Sequence, residues 1–154
     1  RTDLVALCRD ATERLPLQLP ERDDHRLHLL AREAELWGEW DPARVDQVLV
    51  NLISNALKYS PQGGEVVVEV RREGDEAVVS VADSGIGIPA DEQARIFETF
   101  HRARNATQLR VEGAGLGLHI ANEIVQRHGG RMWFNSEQGV GSTFFFALPL
   151  PREG

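Results

Sequence analysis

The chain has 154 residues, 42% of them hydrophobic, and a formal net charge of −7. That length supports one buried core, and the acidic balance argues against a surface for nucleic acid. Its one cysteine, Cys8, excludes an internal disulfide and fits a reducing cytoplasm, while no apolar run is long enough to cross a membrane.

In chain order, the stretch from Arg1 to Cys8 reads as a helix with Cys8 on its apolar face as a small core residue. His25 to Ala31 and a short piece near Leu36 to Trp40 read as early strands. Trp37, Trp40 and Trp133 are expected to pack in the core or at its rim. Asp41-Pro42 then supplies a cap and a proline at the first helical position. Apolar residues follow at Val45, Val48, Leu49, Leu52, Ile53, Ala56 and Leu57, the stripe of a core-facing helix.

At roughly 100° per residue, Asn51, Asn55 and Lys58 share a strip beside that stripe, with Tyr59 at its border. An asparagine carbonyl suits one corner of a Mg²⁺ octahedron completed by waters and phosphate oxygens, and a lysine is a compact charge for phosphates. The same residues also fit an ordinary amphipathic helix whose asparagines cap or face water.

Glu65 to Arg71 is expected to pair with Ala77 to Ala82 through a turn over Arg72-Glu73-Gly74-Asp75. The second of these strands runs into Asp83-Ser84-Gly85-Ile86-Gly87-Ile88-Pro89. Glycines let a ligand approach the backbone, and an ionised aspartate accepts hydrogen bonds, such as one from an exocyclic amino group of adenine. A strand-to-helix turn with no ligand would look the same.

The segment from His101 to Glu112 carries Arg102, Arg104 and Arg110 against one acid, a basic loop in an acidic chain that suits a polyphosphate or is merely solvated. Glu112-Gly113-Ala114-Gly115-Leu116-Gly117-Leu118 follows, with the glycines expected to precede a helix carrying Ile120, Ala121, Ile124 and Val125 and ending at Gly129-Gly130. Free amides and the positive end of the helix dipole make that junction an anion site. No strand precedes these glycines, so they are not a dinucleotide fingerprint, and no Gly-Lys-Ser or Gly-Lys-Thr completes a Walker loop. Arg131-Met132-Trp133-Phe134 and Thr143 to Leu148 are expected to form a hairpin around Gln138-Gly139, ended by Pro149 and Pro151.

The order of these motifs resembles one family closely. The asparagine helix, Asp83-x-Gly-x-Gly, Ile96-Phe97-Glu98-Thr99-Phe100, the Gly-x-Gly-x-Gly-Leu segment and Gly141-Ser142-Thr143-Phe144 look like the ATP-binding catalytic domain of sensor histidine kinases, within the GHKL superfamily. The resemblance spans essentially residues 1–154 as a single domain. It implies a Bergerat two-layer α/β sandwich, with a mixed, mostly antiparallel sheet, helices on one face and an ATP lid.

By the same resemblance, Asn55 holds Mg²⁺, Asn51 lies close to metal and phosphates, and Lys58 touches phosphate oxygens. Tyr59 lies against adenine, Asp83 accepts from its amino group, and Gly85 and Gly87 admit the base. Arg102 reaches the terminal phosphate. Gly113, Gly115 and Gly117 form the lid hinge, with amides near Leu116 and Leu118 donating to phosphate. Two departures, Ala114 in place of a small hydroxyl residue or glycine and His101 in place of a common tyrosine, are mild.

Other GHKL branches resemble one another in carrying a glutamate, as general base, four residues before the metal asparagine; here that position is Asn51. An amide takes no proton near neutral pH, whereas a neutral imidazole already has a lone pair for the γ-phosphate. Asn51 therefore favours transfer to histidine over self-contained hydrolysis. None of His25, His28, His101, His119 or His128 has the acidic residue and nearby proline that follow the family's phosphoacceptor, and packing or surface roles are expected for them.

The chain is thus expected to be a cytoplasmic, monomeric catalytic fragment that starts just after the dimerisation helices. Its partners would be a histidine-bearing dimerisation domain and a response regulator, and it would touch neither nucleic acid nor membrane. A stand-alone GHKL ATPase and a nucleotide-binding module without transfer are the alternatives.

Overall fold

The computed structural model describes residues 1–18, 25–58, 64–85, 114–137 and 139–151. The elements are β1 (Thr2–Asp3), α1 (Leu4–Gln18), β2 (His25–Ala31), β3 (Trp37–Gly38), α2 (Pro42–Lys58), β4 (Gly64–Glu73), β5 (Glu76–Asp83), α3 (Ala114–Arg127), β6 (Arg131–Glu137) and β7 (Gly141–Pro149). Five strands form one sheet in the order β2-β4-β5-β7-β6; β2 runs parallel to β4 and the other neighbours are antiparallel. Both expected hairpins are present. Gly74 takes φ +59 in the tight turn joining β4 to β5, a backbone that glycine adopts without strain.

Alternation along the strands sorts the sheet into two faces. Val66, Val68 and Val70 of β4, Val79 and Val81 of β5, and Phe144, Phe146 and Leu148 of β7 are buried together with Leu4, Cys8 and Leu15 of α1, the whole α2 stripe, and Leu118, Ala121 and Val125 of α3. The helices therefore cover one face. Desolvation there pushes the Cys8 thiol up to about 12, so it is an inert core residue. The opposite face is roofed by its own long side chains. Arg71 bridges Glu69 and Glu73, and Arg131 binds Glu76 while lying 4.3 Å from the Trp133 ring. Trp133 stacks on Phe145 with centroids 5.1 Å apart, and beneath this layer Val78 and Ala147 are fully buried.

The N-terminus differs from its expected all-helical form. Thr2 and Asp3 pair with Gly38 and Trp37, and α1 begins only at Leu4. Asp3 causes the break: its Oδ1 accepts from the backbone N–H groups of Val5 and Leu36, at 3.1 and 2.9 Å, so it caps the helix and binds the β3 segment. Of the tryptophans, Trp40 is buried and donates Nε1–H to the Pro149 carbonyl, whereas Trp37 stays partly exposed under the Arg1 guanidinium.

α2 and α3 lie side by side, and their ends define the site. Asp41 caps α2 by accepting from Ala43 N–H at 3.0 Å. α3 ends in a Schellman motif, in which Gly130 N–H donates to Val125 O, Gly129 N–H donates to Gln126 O, and Gly129 adopts φ +79. His128 joins the two ends. Its Nδ1 lies 2.9 Å from Ile124 O, and its Nε2 accepts from Asp41 N–H at 3.2 Å, which assigns the ring proton to Nδ1 and makes it a packing histidine. A Cβ on Gly130 would run into the Ala147 carbonyl of β7. Gly130→Ala is expected to lower stability by about 2 kcal/mol, read as the urea midpoint; an unchanged midpoint would mean that α3 and β7 can part freely at this turn.

Candidate functional site

The site begins with a polar group that the helix packing buries. Asn55, 4% exposed, stands among the apolar residues of α2, and its Oδ1 has no hydrogen-bond partner among the described residues. An orphaned buried carbonyl costs about 1–3 kcal/mol, and such exceptions call for an explanation. A neutral oxygen held in this way fits a hard cation such as Mg²⁺. Asn51, one helical turn earlier, is half-buried, and Lys58 is the last residue of the helix.

Asp83 is the last residue of β5, and sheet register fixes its neighbours. Val66, Asp83, Ser142 and Ser136 form one row across β4, β5, β7 and β6, on the face that meets the helices. Asp83 Oδ1 accepts from Gly85 N–H at 2.9 Å and Ser142 N–H at 3.3 Å; no described residue donates to Oδ2. Burial pushes this carboxyl up from 3.8 to about 6, and the two amide bonds oppose that rise without cancelling it. A partly desolvated carboxylate with one oxygen saturated and the other available is built to read a donor.

Gly141 makes this closeness possible. It has φ +143, and a Cβ there would collide with the Asp83 carbonyl and lie 2.9 Å from Ser84 Cα. Backbone therefore stacks directly against the strand end that carries Asp83, and Gly85 begins the turn beyond it.

The third group is placed differently from expectation. α3 begins at Ala114, so Gly115, Leu116 and Gly117 are inside its first turn instead of ahead of it. The first four amides of a helix lack internal partners. Leu118, the fifth residue, has its amide within the helical ladder and its side chain in the core at 1% exposure, so the free donors are those nearest Ala114. Tyr59, Gly87, Arg102 and Gly113, together with Phe97, Phe100 and the basic loop, lie outside the described residues.

Sequence reasoning missed the hydroxyl pair of this site. Ser136 Oγ lies 2.8 Å from Ser142 Oγ and donates to Gly141 O at 3.2 Å. Counting outward from a two-residue turn at Gln138-Gly139 sets Ser136 opposite Gly141; the observed register is centred on Gly139 and sets it opposite Ser142, one residue along.

The family described as "Histidine kinase-, DNA gyrase B-, and HSP90-like ATPase" matches residues 40–152, a span that contains both Asn55 and Asp83. The chain belongs to this family. Within the ATPase family its relatives are sensor histidine kinases. It is 45% identical over 123 residues to sensor histidine kinase WalK of Bacillus subtilis (strain 168), covering 79% of this chain and 20% of that protein. Among solved structures, the nucleotide-free catalytic domain of histidine kinase ThkA superposes with a TM-score of 0.81 at 28% identity, covering 97% of this chain and 93% of that one. Full-length ShkA, solved in complex with AMPPNP, has a TM-score of 0.81 at 29% identity, covering 99% of this chain and 31% of that one. The mixed sheet with helices on one face is thus the fold of histidine kinase catalytic domains, and the chain is an ATP-binding domain of that kind. It spans only a fifth of the length of WalK.

Proposed function

We propose that this domain binds ATP with Mg²⁺ and donates the γ-phosphate to a histidine on a separate dimerisation domain, from which phosphate passes to a response-regulator aspartate. The observation that carries the reading is the orphaned Oδ1 of Asn55, one helical turn after Asn51. Asn55 would hold Mg²⁺, which when bound supplies neutralisation of phosphate charge. Asp83 Oδ2 accepts from the adenine amino group and sets the base against the end of β5, with Gly85 and Gly87 leaving room for it. Tyr59 lies against the base. Lys58 and Arg102 bring positive charge to the phosphates, and amides at the start of α3, next to the lid hinge at Gly113, donate to phosphate oxygens. Asn51 orients polar groups near the transferring phosphate and takes no proton, so the acceptor imidazole attacks with its own lone pair. Catalysis on this arrangement consists of positioning and electrostatic stabilisation.

A cytoplasmic setting and a monomeric state complete the proposal, with neither nucleic acid nor membrane as a partner. The acidic net charge supports the absence of a nucleic-acid partner; among the described residues no helix is long and apolar enough to cross a membrane. The test mixes the domain with γ-labelled ATP, Mg²⁺ and a matched dimerisation domain. Acid-labile phosphate on the partner, with almost no free phosphate when the partner is left out, is expected. Steady phosphate release without the partner would instead mean a self-contained ATPase, and binding with neither product would mean a module that only senses nucleotide.

A further inference from the structure

The adenine-reading carboxylate is held by a donor on β7, and that donor is itself held from β6. Asp83 accepts at Oδ1 from Ser142 N–H. The Ser142 hydroxyl is buried, with the residue 4% exposed, so it requires a partner. Ser136 supplies one at 2.8 Å and reaches the Gly141 carbonyl at 3.2 Å. Ser136 has one hydroxyl proton. When that proton goes to Gly141 O, Ser142 donates to Ser136 Oγ, and both ends of the Gly141–Ser142 unit are tied to β6 by one side chain. Gly141 is also where β7 presses on the Asp83 carbonyl and Ser84 Cα, so movement of this unit is felt at the carboxylate. Ser136 lies at the last register pairs before the hairpin turn, Ser136 with Ser142 and Glu137 with Gly141, where a strand pair is most prone to fray.

We propose that Ser136 is a positioning residue for purine recognition: its hydroxyl locks the Gly141–Ser142 unit so that Ser142 N–H keeps Asp83 Oδ1 engaged and Oδ2 directed at the 6-amino group of the base. This rests on the adenine-site reading given above. Ser136 itself touches no ligand atom in this scheme, and its effect is confined to nucleotides that carry the amino group Asp83 reads.

The experiment measures, by calorimetry on the 154-residue chain, the affinity for ADP and for purine riboside 5′-diphosphate, which lacks the 6-amino group. The proteins are the wild type, Ser136→Thr, Ser136→Val and Ser136→Ala. Threonine and valine are near-isosteric on a strand and differ by the hydroxyl, and alanine removes the hydroxyl without adding bulk should valine fail to fold. Loss of the hydroxyl is expected to weaken ADP about 5- to 10-fold, with threonine restoring it, and to weaken the 6-deamino nucleotide less than about 2-fold. The pH at which ADP affinity is half lost should also move upward, because the carboxylate loses the hold of the Ser142 amide. Equal penalties on both nucleotides, or no penalty on either, would overturn the proposal, since a loosened hairpin does not distinguish the bases. If the wild type binds the two nucleotides equally well, the adenine-site reading itself fails, and the role of Ser136 falls with it.

Discussion

Asp83→Asn is expected to weaken ATP binding by about 100-fold or more and, at the same time, to make the folded domain more stable above neutral pH. The binding loss follows from which oxygen is engaged. Two backbone N–H groups converge on Oδ1, so the asparagine carbonyl takes that position and its NH₂ group takes the place of Oδ2. A donor then faces the adenine amino donor. One charge-assisted hydrogen bond is lost and a repulsion replaces it, together about 3 kcal/mol.

The stability gain has the opposite origin. Burial pushes the Asp83 carboxyl from 3.8 to about 6, so between these values the folded state holds a proton that the unfolded chain has released. Stability contributed by this group is therefore full below about 4, falls as pH rises through the window, and is lost above about 6. The displacement corresponds to about 3 kcal/mol at about 1.4 kcal/mol per pH unit, reduced to about 1–2 kcal/mol by the group's remaining contact with water. Asparagine has no such penalty. Urea unfolding at pH 4 and pH 8 should thus show similar stabilities at the lower pH and a more stable variant at the higher. Wild-type ATP affinity should fall as pH drops through about 6. A variant that binds normally, or whose advantage is the same at both pH values, would remove Asp83 from this role.

Asn55→Ala should have the second large effect: phosphotransfer reduced by at least about 10³-fold and the Mg²⁺-dependent part of ATP affinity abolished, with the fold intact. Asn55 Oδ1 is desolvated and has no partner among the described residues, so among them it contributes no hydrogen bond to be lost. Truncation relieves that unsatisfied carbonyl but leaves a small void, and the two effects offset to within about 1 kcal/mol. Affinity titrations with and without Mg²⁺ would coincide in the variant and differ in the wild type. A large fall in thermal midpoint would instead mark Asn55 as a structural asparagine. Magnesium-dependent binding that survives the substitution would move the cation to another residue.

Much of this molecule follows from patterning along the chain. The α2 stripe is buried at every position its helical spacing marks, and the asparagine beside it sits where that spacing puts it, because a helix of 17 residues carries its own register. Both hairpins follow from alternation and turn chemistry, which are equally local. The family resemblance likewise rests on motifs in linear order. What local signals leave open is how much water each group keeps and which backbone it meets. Asn55 and Asn51 look alike in the sequence, yet in the folded domain the first is buried and the second half-buried.

The start of α3 is a second case. Glycines at 113, 115 and 117 read as a loop because glycine weakens a helix, but Leu118, Ala121 and Val125 gain enough burial against the core to extend the helix back to Ala114. A third is the tilt of Asp83 toward its neutral form, together with the Ser136–Ser142–Gly141 tie behind it. These depend on β5, β7 and β6 lying side by side, an arrangement of residues far apart in the chain. Chemistry-bearing residue types are written in the sequence; their desolvation and their donors arise only when the strands and helices close around them.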